Sequence, residues 1–493
     1  MASNSSMIDS KQSLLTSNPV WAFFDQITKI PRPSKHEERI VAFLLDFAAQ
    51  RGLEVRRDKV GDVLITVQAT AGKEAAEPVI LQAHVDMVCE KNSDCGINFL
   101  TDPIDYYVKD GWVRAKGTTL GADDGIGVAL ALAIVDGGLK GEIEHGPLFC
   151  LFTVDEETGL TGAYNVTADF LPANRLINLD SEDEGQIFIG CAGGCTTRAS
   201  FPLQRVSTPD GFLGLSFSLS GLLGGHSGGD IHLGRANANK LMARFLRLAQ
   251  EKYGLRLASL NGGNLHNAIA REAVAIGAVP MCHKEDIRVE FNCFVADVEE
   301  EFRGVEHGIS FTMGSTGAPA SVLEGGLQRR LLDALVACPH GVLAMSHVMD
   351  NLVQTSTNLA SVRTGEASID VVTSQRSSVG SGKVEAQAMV ASVFELAGAT
   401  VQEAEGYPSW TPNPSSPLVS VACQSYRDLF HAEAQVLAIH AGLECGLFLD
   451  KKKTMDMISV GPTLRAVHSP DEAVDIASVE RFWEFILDLL KRM

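Results

Sequence analysis

No apolar run in this 493-residue chain reaches the eighteen or so residues that a bilayer-crossing helix needs. The longest candidates, such as Val128 to Val135, fit a buried helix. Positive charge is scarce as well. Lys and Arg number 41 against 61 Asp and Glu, a formal net charge of −20. That balance argues against a nucleic-acid or anionic-membrane partner, since both would be repelled. The lone basic run, Lys451-Lys452-Lys453, sits beside Asp450 and reads as a solvated loop. Cysteines are only ten and mostly lie in apolar surroundings, as Cys150 does between Phe149 and Leu151, which suits a reduced cytoplasm. Cys191 and Cys195 have the spacing of a zinc pair, but no second Cys or His pair accompanies them. Internal repeats and low-complexity segments are absent too. The first eighteen residues are polar and Ser-rich, without a signal-peptide core or an Arg-rich transit pattern, and read as a disordered extension.

What is present is a large soluble globular composition, 45% hydrophobic and 21% charged, on a chain too long for one ordinary core. The N-terminal part alternates helix and strand signals. Ser34 followed by Glu37 reads as a capping box opening a helix to about Gly52. Strands are expected at Val63 to Val67, Pro78 to Val88, Leu148 to Val154 and Leu176 to Leu179, with an apolar helix at Gly125 to Val135. Continuous apolar strands in a β-α-β rhythm imply a sheet covered on both faces by helices. Around residue 200 the character changes. Strand signals at Gly211 to Leu219, Ile287 to Phe294 and Ala367 to Val372, with helices at Ala236 to Tyr253 and Lys383 to Ala397, suggest an α+β insert on an antiparallel sheet. The stretch from Gly314 to Gly326 reads as irregular. Helices follow at Leu418 to Phe430 and Ile476 to Arg492.

Five short segments carry the chemistry, four of them with carboxylates at the ends of apolar runs. His84 and Asp86 stand two apart at a strand end and project from one face, so the carboxylate can fix the tautomer of a metal-bound imidazole. Asp123 and Asp124 sit in a Gly-rich turn before an apolar helix. One carboxylate there can bridge two cations, although acidic helix capping is an equally ordinary use of such residues. Glu156 and Glu157 adjoin at the end of an apolar strand, where neighbours cannot share one face. That suits one metal ligand and one group aimed at an attacking water. Asp180 again ends an apolar strand, the place where functional groups gather in open α/β sheets. His468 lies in a Ser-Pro loop and alone reads as a surface histidine. Together the segments hold the donors of a site for two divalent metals with one carboxylate to spare.

The strings Leu81-Gln-Ala-His84-Val-Asp86, Thr119-Leu-Gly-Ala-Asp123-Asp124-Gly, Thr153-Val-Asp-Glu156-Glu157-Thr-Gly, Asn178-Leu-Asp180-Ser-Glu, Gly225-His226-Ser-Gly-Gly and Gly461-Pro-Thr-Leu-Arg-Ala-Val-His468-Ser-Pro-Asp-Glu resemble the dinuclear zinc peptidases related to carboxypeptidase G, acylase and tripeptidase. Among these, the chain is most similar to the aminoacyl-histidine (Xaa-His, β-alanyl-histidine) dipeptidases, from about residue 20 to 493. The resemblance implies that His84, Asp123 and Asp180 hold one zinc, and Asp123, Glu157 and His468 the other. Asp123 would bridge, Asp86 orient His84, and Glu156 act as general base. It casts His226 as a lid histidine that stabilises an oxyanion, and Arg376 as partner of the substrate's carboxylate. Asn267, Arg271, Asn358 and Glu444 are further candidate substrate contacts. Asp124 departs from the Asn expected in the most similar group, although tripeptidase-like members also carry a second Asp.

The implied architecture is an α/β zinc-peptidase catalytic domain, a mixed sheet between helices, from residues 1–200 and 402–493. Residues 201–401 form an inserted α+β lid, the expected homodimer surface. The implied function is cytosolic hydrolysis of Xaa-His and other dipeptides, β-Ala-His included, with two Zn²⁺ that Mn²⁺ or Co²⁺ can replace. The alternatives are a tripeptidase, acylase or broad dipeptidase on the same site, and a non-catalytic metal-binding scaffold. The presence of Glu156 beside every ligand position counts against the scaffold.

Overall fold

The fold is organised by a strand with no exposed side. In the computed structural model, which describes residues 11–404 and 406–493, every residue of Val79–His84 is buried. Such a strand needs cover on both faces, the condition of a parallel sheet interior. It pairs in parallel with Leu148–Thr153 on one side and Arg175–Asn178 on the other, and the latter pairs in parallel with Asp456–Ser459. Val63–Val67 joins Leu148–Thr153 antiparallel and Glu54–Arg57 closes that edge, while Gln186–Cys191 runs antiparallel to Asp456–Ser459. With Gln435–Ile439 beyond it, the sheet has eight strands and is mixed. Helix Ala122–Leu139, apolar nearly all round, packs on Val79–His84 and on helix Pro19–Ile27. Helix Pro417–Phe430 packs on Asp456–Ser459 and on Ile476–Arg492, whose first turn is capped by the Asp475 carboxylate accepting from Ser478 N–H at 2.8 Å.

The chain divides into two compact units. One comprises the residues up to Gly190 with Pro412–Ala438 and Leu443–Met493; the other comprises Cys191–Thr411 with Ile439–Gly442. The changeover comes earlier than the composition shift near residue 200, because strand Gly193–Pro202 already pairs with Ser368–Ser377. It returns later than 402, because Thr400–Glu403 pairs with Gly193–Pro202. The second unit is α+β. Its antiparallel sheet runs Ser310–Thr316, Phe212–Ser220, Ala273–Pro280, Arg256–Gly262, Val353–Thr364, Ser368–Ser377, Gly193–Pro202 and Thr400–Glu403, with Gly341–Met345 added alongside Val353–Thr364. Helices Ala238–Tyr253, Lys284–Glu301, Gly325–Ala337 and Gly380–Leu396 belong to the same unit.

Several local expectations change. The expected strand at Ile287 to Phe294 is helix Lys284–Glu301. Its alternating apolar residues mask a longer helical period in which Ile287, Phe291 and Val298 are buried and Val289 is exposed. Ser34 does not cap the following helix, which starts at Glu38 without a side-chain cap. Gly314 to Gly326 is regular at both ends, as strand Ser310–Thr316 and the start of helix Gly325–Ala337. Of the expected N-terminal extension, residues 11–17 are helical and residues 1–10 lie outside the described part. No helix among the described residues is long and apolar enough to cross a membrane.

The second unit's core centres on Phe245, fully buried, with ring centroids 5.0 to 6.2 Å from those of Phe217, Phe291, Phe294 and Phe311. Phe245→Ala removes the hub of this cluster and is expected to lower stability by about 3–5 kcal/mol. Denaturant unfolding measures this, and a loss below about 1 kcal/mol, the range of a tolerated hydrophobic swap, would refute the assignment.

Candidate metal centre

The carboxyl ends of the parallel strands converge, and the candidate ligands stand there. His84 is the last residue of its strand; Glu156 and Glu157 follow Leu148–Thr153; Asp180 follows Arg175–Asn178; the loop beyond Asp456–Ser459 reaches His468. Asp123 comes from the turn that enters helix Ala122–Leu139. There Gly121 has φ +68°, Asp123 and Asp124 keep non-helical dihedrals, and the bond between them is cis. A Cβ at Gly121 would lie 2.6 Å from an Arg32 guanidinium nitrogen and 2.7 Å from Met87 Sδ, so a larger residue there would be strained and would displace both side chains. His468 has φ +61°, a left-handed conformation that non-glycine residues adopt mainly where the surroundings impose it, often at functional sites.

Asp123 lies between the two imidazoles. His84 Nε2 is 3.0 Å from Asp123 Oδ1 and 3.4 Å from Asp180 Oδ1. His468 Nε2 is 3.2 Å from Asp123 Oδ2 and 3.0 Å from the Glu157 carboxylate. Among the described residues four sets of donor atoms each fall within 4.8 Å: His84, Asp123 and Asp180; Asp123, Glu157 and His468; His84, Glu156 and Glu157; and the buried acids Glu37, Asp86 and Asp155. The charges strain against burial. Burial first, then neighbouring carboxylates, raise Asp180 and Glu156 well above the ordinary range, with His84 opposing. Burial alone would raise Asp123 too, yet hydrogen bonds to His468 and His84 hold it below that range. His84 is raised despite burial, by Asp180 and Asp123, and hydrogen bonds to Asp123 and Glu157 push His468 up to about 11.

Behind these atoms stand acids that hold backbone. Asp86 is fully buried. It lies 3.3 Å from His84 Nδ1, accepts from Ser34 Oγ at 2.7 Å, and accepts from Glu156 and Glu157 N–H at 3.0 and 3.3 Å. Asp124 accepts from His84 N–H at 3.2 Å and Gly127 N–H at 3.1 Å. Glu444 is buried, accepting from Gln82 Nε2 at 2.6 Å and Thr153 Oγ1 at 2.9 Å, and burial pushes its carboxyl up to about 7. Sequence reasoning read Ser34 as a helix cap, quoted Glu472 at the end of the His468 string without giving it a role, and left out Arg32. Arg32 is buried and donates to the Val85, Asp86 and Gly121 carbonyls.

The remaining candidates lie in the second unit. The short strand Gly225–His226 pairs with Ala268–Ile269, and His226 Nδ1 accepts from Gly228 and Gly229 N–H at 3.3 and 3.0 Å. A neutral ring in that setting carries its proton on Nε2, and burial, then Arg376, keeps it neutral by lowering its pKa. Arg376 Nη2 stands 3.4 Å from His226 Nε2, and Arg376 Nη1 donates to Tyr407 Oη at 2.7 Å. Asn267 and Asn358 bond to the same loop and strand pair: Asn267 O accepts from Ser227 N–H at 2.8 Å, and Asn358 Nδ2 donates to Ala268 O at 2.9 Å. Arg271 packs against Gly224 and donates to Leu222 O at 3.2 Å. Cys191 and Cys195 are buried, and no cluster of three potential metal ligands among the described residues includes either.

Residues 80–492 match peptidase family M20/M25/M40. The chain belongs to this family of peptide hydrolases. It is 41% identical over 484 residues to the cytosol non-specific dipeptidase of Escherichia coli (strain K12), covering 98% of this chain and 99% of that one. The crystal structure of aminoacylhistidine dipeptidase from Vibrio alginolyticus is 42% identical with a TM-score of 0.90, covering 97% of each chain. Aminopeptidase PepT from Bacillus cereus ATCC 10987, at 14% identity and a TM-score of 0.60 over 96% of this chain and 97% of that one, shares the M20 fold.

The family implies a divalent metal, and the donors fit one. Carboxylates and imidazoles crowded within 4.8 Å, with pKa values driven apart by like charges and burial, are what a cation relieves. His468, raised to about 11, is protonated at neutral pH in the metal-free protein. Its contribution to stability is therefore fully present below an ordinary histidine pKa of about 6.5 and is lost as pH rises through about 11. Metal ligands must be deprotonated, so uptake of zinc at pH 7 is expected to release protons and to tighten as pH rises. Calorimetric titration in buffers of different ionisation heat reads this directly; zinc uptake without proton release would contradict the arrangement.

Proposed function

We propose that this M20 peptidase is a cytoplasmic dipeptidase working through two zinc ions, with Mn²⁺ or Co²⁺ as substitutes. His84, Asp123 and Asp180 would hold one ion and Asp123, Glu157 and His468 the other. The observation that carries this reading is the pair of donor sets sharing Asp123, with the Glu156 carboxylate beside His84 and Glu157. When bound, such ions lower the pKa of an attacking water and polarise the peptide carbonyl. Glu156 takes the proton from that water and hands it to the leaving amine. Its N–H is tied to Asp86 Oδ1 at 3.0 Å, which orients the residue, and Asp86 beside His84 Nδ1 fixes the ring's tautomer. In the second unit, His226 offers an Nε2 proton to a developing oxyanion and Arg376 a guanidinium fork to the substrate's terminal carboxylate. We assign that unit the part of lid and homodimer surface.

The cytosolic location and dipeptide substrate rest on the identity to the Escherichia coli enzyme over nearly the full length. That relative's non-specific naming favours a broad range in which Xaa-His and β-Ala-His are members rather than the sole substrates. Metal-loaded protein is expected to hydrolyse dipeptides of varied sequence, β-Ala-His among them, faster than tripeptides or N-acyl amino acids. A preference for tripeptides or acylated amino acids would transfer the site to the alternative readings, and turnover of none of them would favour a scaffold. Glu156→Gln is expected to keep two metals bound while kcat falls by about 10²–10⁴-fold. Unchanged kcat would remove Glu156 from its role.

A further inference from the structure

Glu472 is 2% exposed, four residues beyond His468 on the same loop. Its side chain takes four successive backbone N–H groups of the turn that carries Asp123. One oxygen accepts from Leu120 at 2.7 Å and Gly121 at 3.1 Å; the other accepts from Ala122 at 2.8 Å and Asp123 at 3.4 Å. Such a nest of N–H groups is an anion cradle, here filled from within the chain. The carbonyl side of the same turn is gripped by Arg32, which donates to Gly121 O and also to Val85 and Asp86 O beside His84. The Glu472 loop is itself tied down, with Glu472 N–H donating to Ser469 O at 3.0 Å and Ser469 Oγ to Ala466 O at 2.7 Å. Neither Glu472 nor Arg32 belongs to the proposed ligand set or to the proton path.

We propose that Glu472 is the positioning residue that couples the two proposed metal positions, fixing the shared ligand Asp123 and the distal ligand His468 relative to one another through a single carboxylate. The turn 120–123 has its N–H groups committed to Glu472 and Gly121 O to Arg32, so Asp123 has one backbone setting from which both oxygens reach an imidazole. Because His468 stands on the loop that ends in Glu472, a shift of the carboxylate moves both ligands together. Substitutions at residues supporting metal ligands typically cost about 10–100-fold in metal affinity or activity.

The proposal rests on the metallopeptidase reading, so the test includes a readout independent of turnover. Glu472→Gln keeps the side-chain shape but turns one acceptor into an NH₂ facing backbone N–H groups; Glu472→Asp keeps the charge and withdraws it by a methylene. Zinc affinity and stoichiometry are measured by competition with a chelating indicator, alongside kcat and KM for a dipeptide and the melting temperature of the metal-free protein. In both variants zinc affinity is expected to weaken by about 10–100-fold, with kcat falling and KM little changed under saturating zinc. Glu472→Asp is expected to recover part of the affinity that Glu472→Gln loses. Parental zinc affinity in a folded variant overturns the proposal, as does a lowered melting temperature with parental affinity and kcat, which marks a purely structural role. If neither variant folds with zinc present, Glu472 is a folding element and the proposal fails. If the unsubstituted protein binds zinc but cleaves no peptide, the functional reading fails while the affinity comparison still decides the role of Glu472.

Discussion

Asp123 sits between two imidazoles with Asp180, Glu156 and Glu157 gathered around them, and the first unit is arranged to make that concentration of charge tolerable. Removing an ion from water costs several kcal/mol even after relaxation. The site limits that cost by drawing each ligand from a different segment, so that every carboxylate faces a positive or donating neighbour. Strand order decides who those neighbours are. Adjacent strands lie about 4.8 Å apart. Val79–His84 runs between Leu148–Thr153 and Arg175–Asn178, so His84 has the glutamate pair on one side and Asp180 on the other. The central strand therefore carries the residue common to two donor sets, and the shared carboxylate comes from outside the sheet, where the helix-entry turn can bring it to both histidines.

A second regularity explains why acids occur in pairs along the motifs. Asp86, on the His84 segment, holds the N–H groups of Glu156 and Glu157. Asp124, beside Asp123, holds the N–H of His84. Glu472, on the His468 loop, holds the N–H groups of 120–123. Three of the ligand-bearing segments, those of His84, Asp123 and Glu157, are thus fixed by a carboxylate from another such segment. The spacings His-x-Asp, Asp-Asp and His-x₃-Glu each combine one inward-facing donor with one backbone holder. A fold of this kind is hard to alter piecemeal, because displacing one segment releases the anchor of the next.

This relay also separates what the sequence made legible from what it did not. Apolar strands ending in His84, Thr153 and Asn178 could be read because buried parallel strands are continuous runs, and their carboxyl ends are where ligands collect. The far-separated His468 could be placed only through the family's motif order, since nothing local distinguishes it from a surface loop histidine. Arg32 lay outside every motif, and Glu472 stood in the His468 string without a legible role, because both act on backbone groups and a backbone N–H or carbonyl leaves no mark in the sequence. Ser34 was misread for the same reason: a hydroxyl before a helix suits a cap, yet here it serves Asp86. In the second unit, Ile287 to Phe294 carries both a two-residue and a longer period, and the helix buries Ile287, Phe291 and, a further turn along, Val298 while leaving Val289 exposed.

Asp124 follows from the same logic. Its two oxygens accept from different N–H groups, His84 on one side and Gly127 on the other. An asparagine has one acceptor oxygen, so it would satisfy one of these donors and set its NH₂ against the second. Burial and the Asp180 charge push the Asp124 carboxyl upward, while the His84 N–H stabilises its ionised form. The additional acid therefore acts on the backbone beside the shared ligand. It locks the strand end that presents His84 to the start of the helix that follows Asp123, so the register between those two segments is set by one side chain.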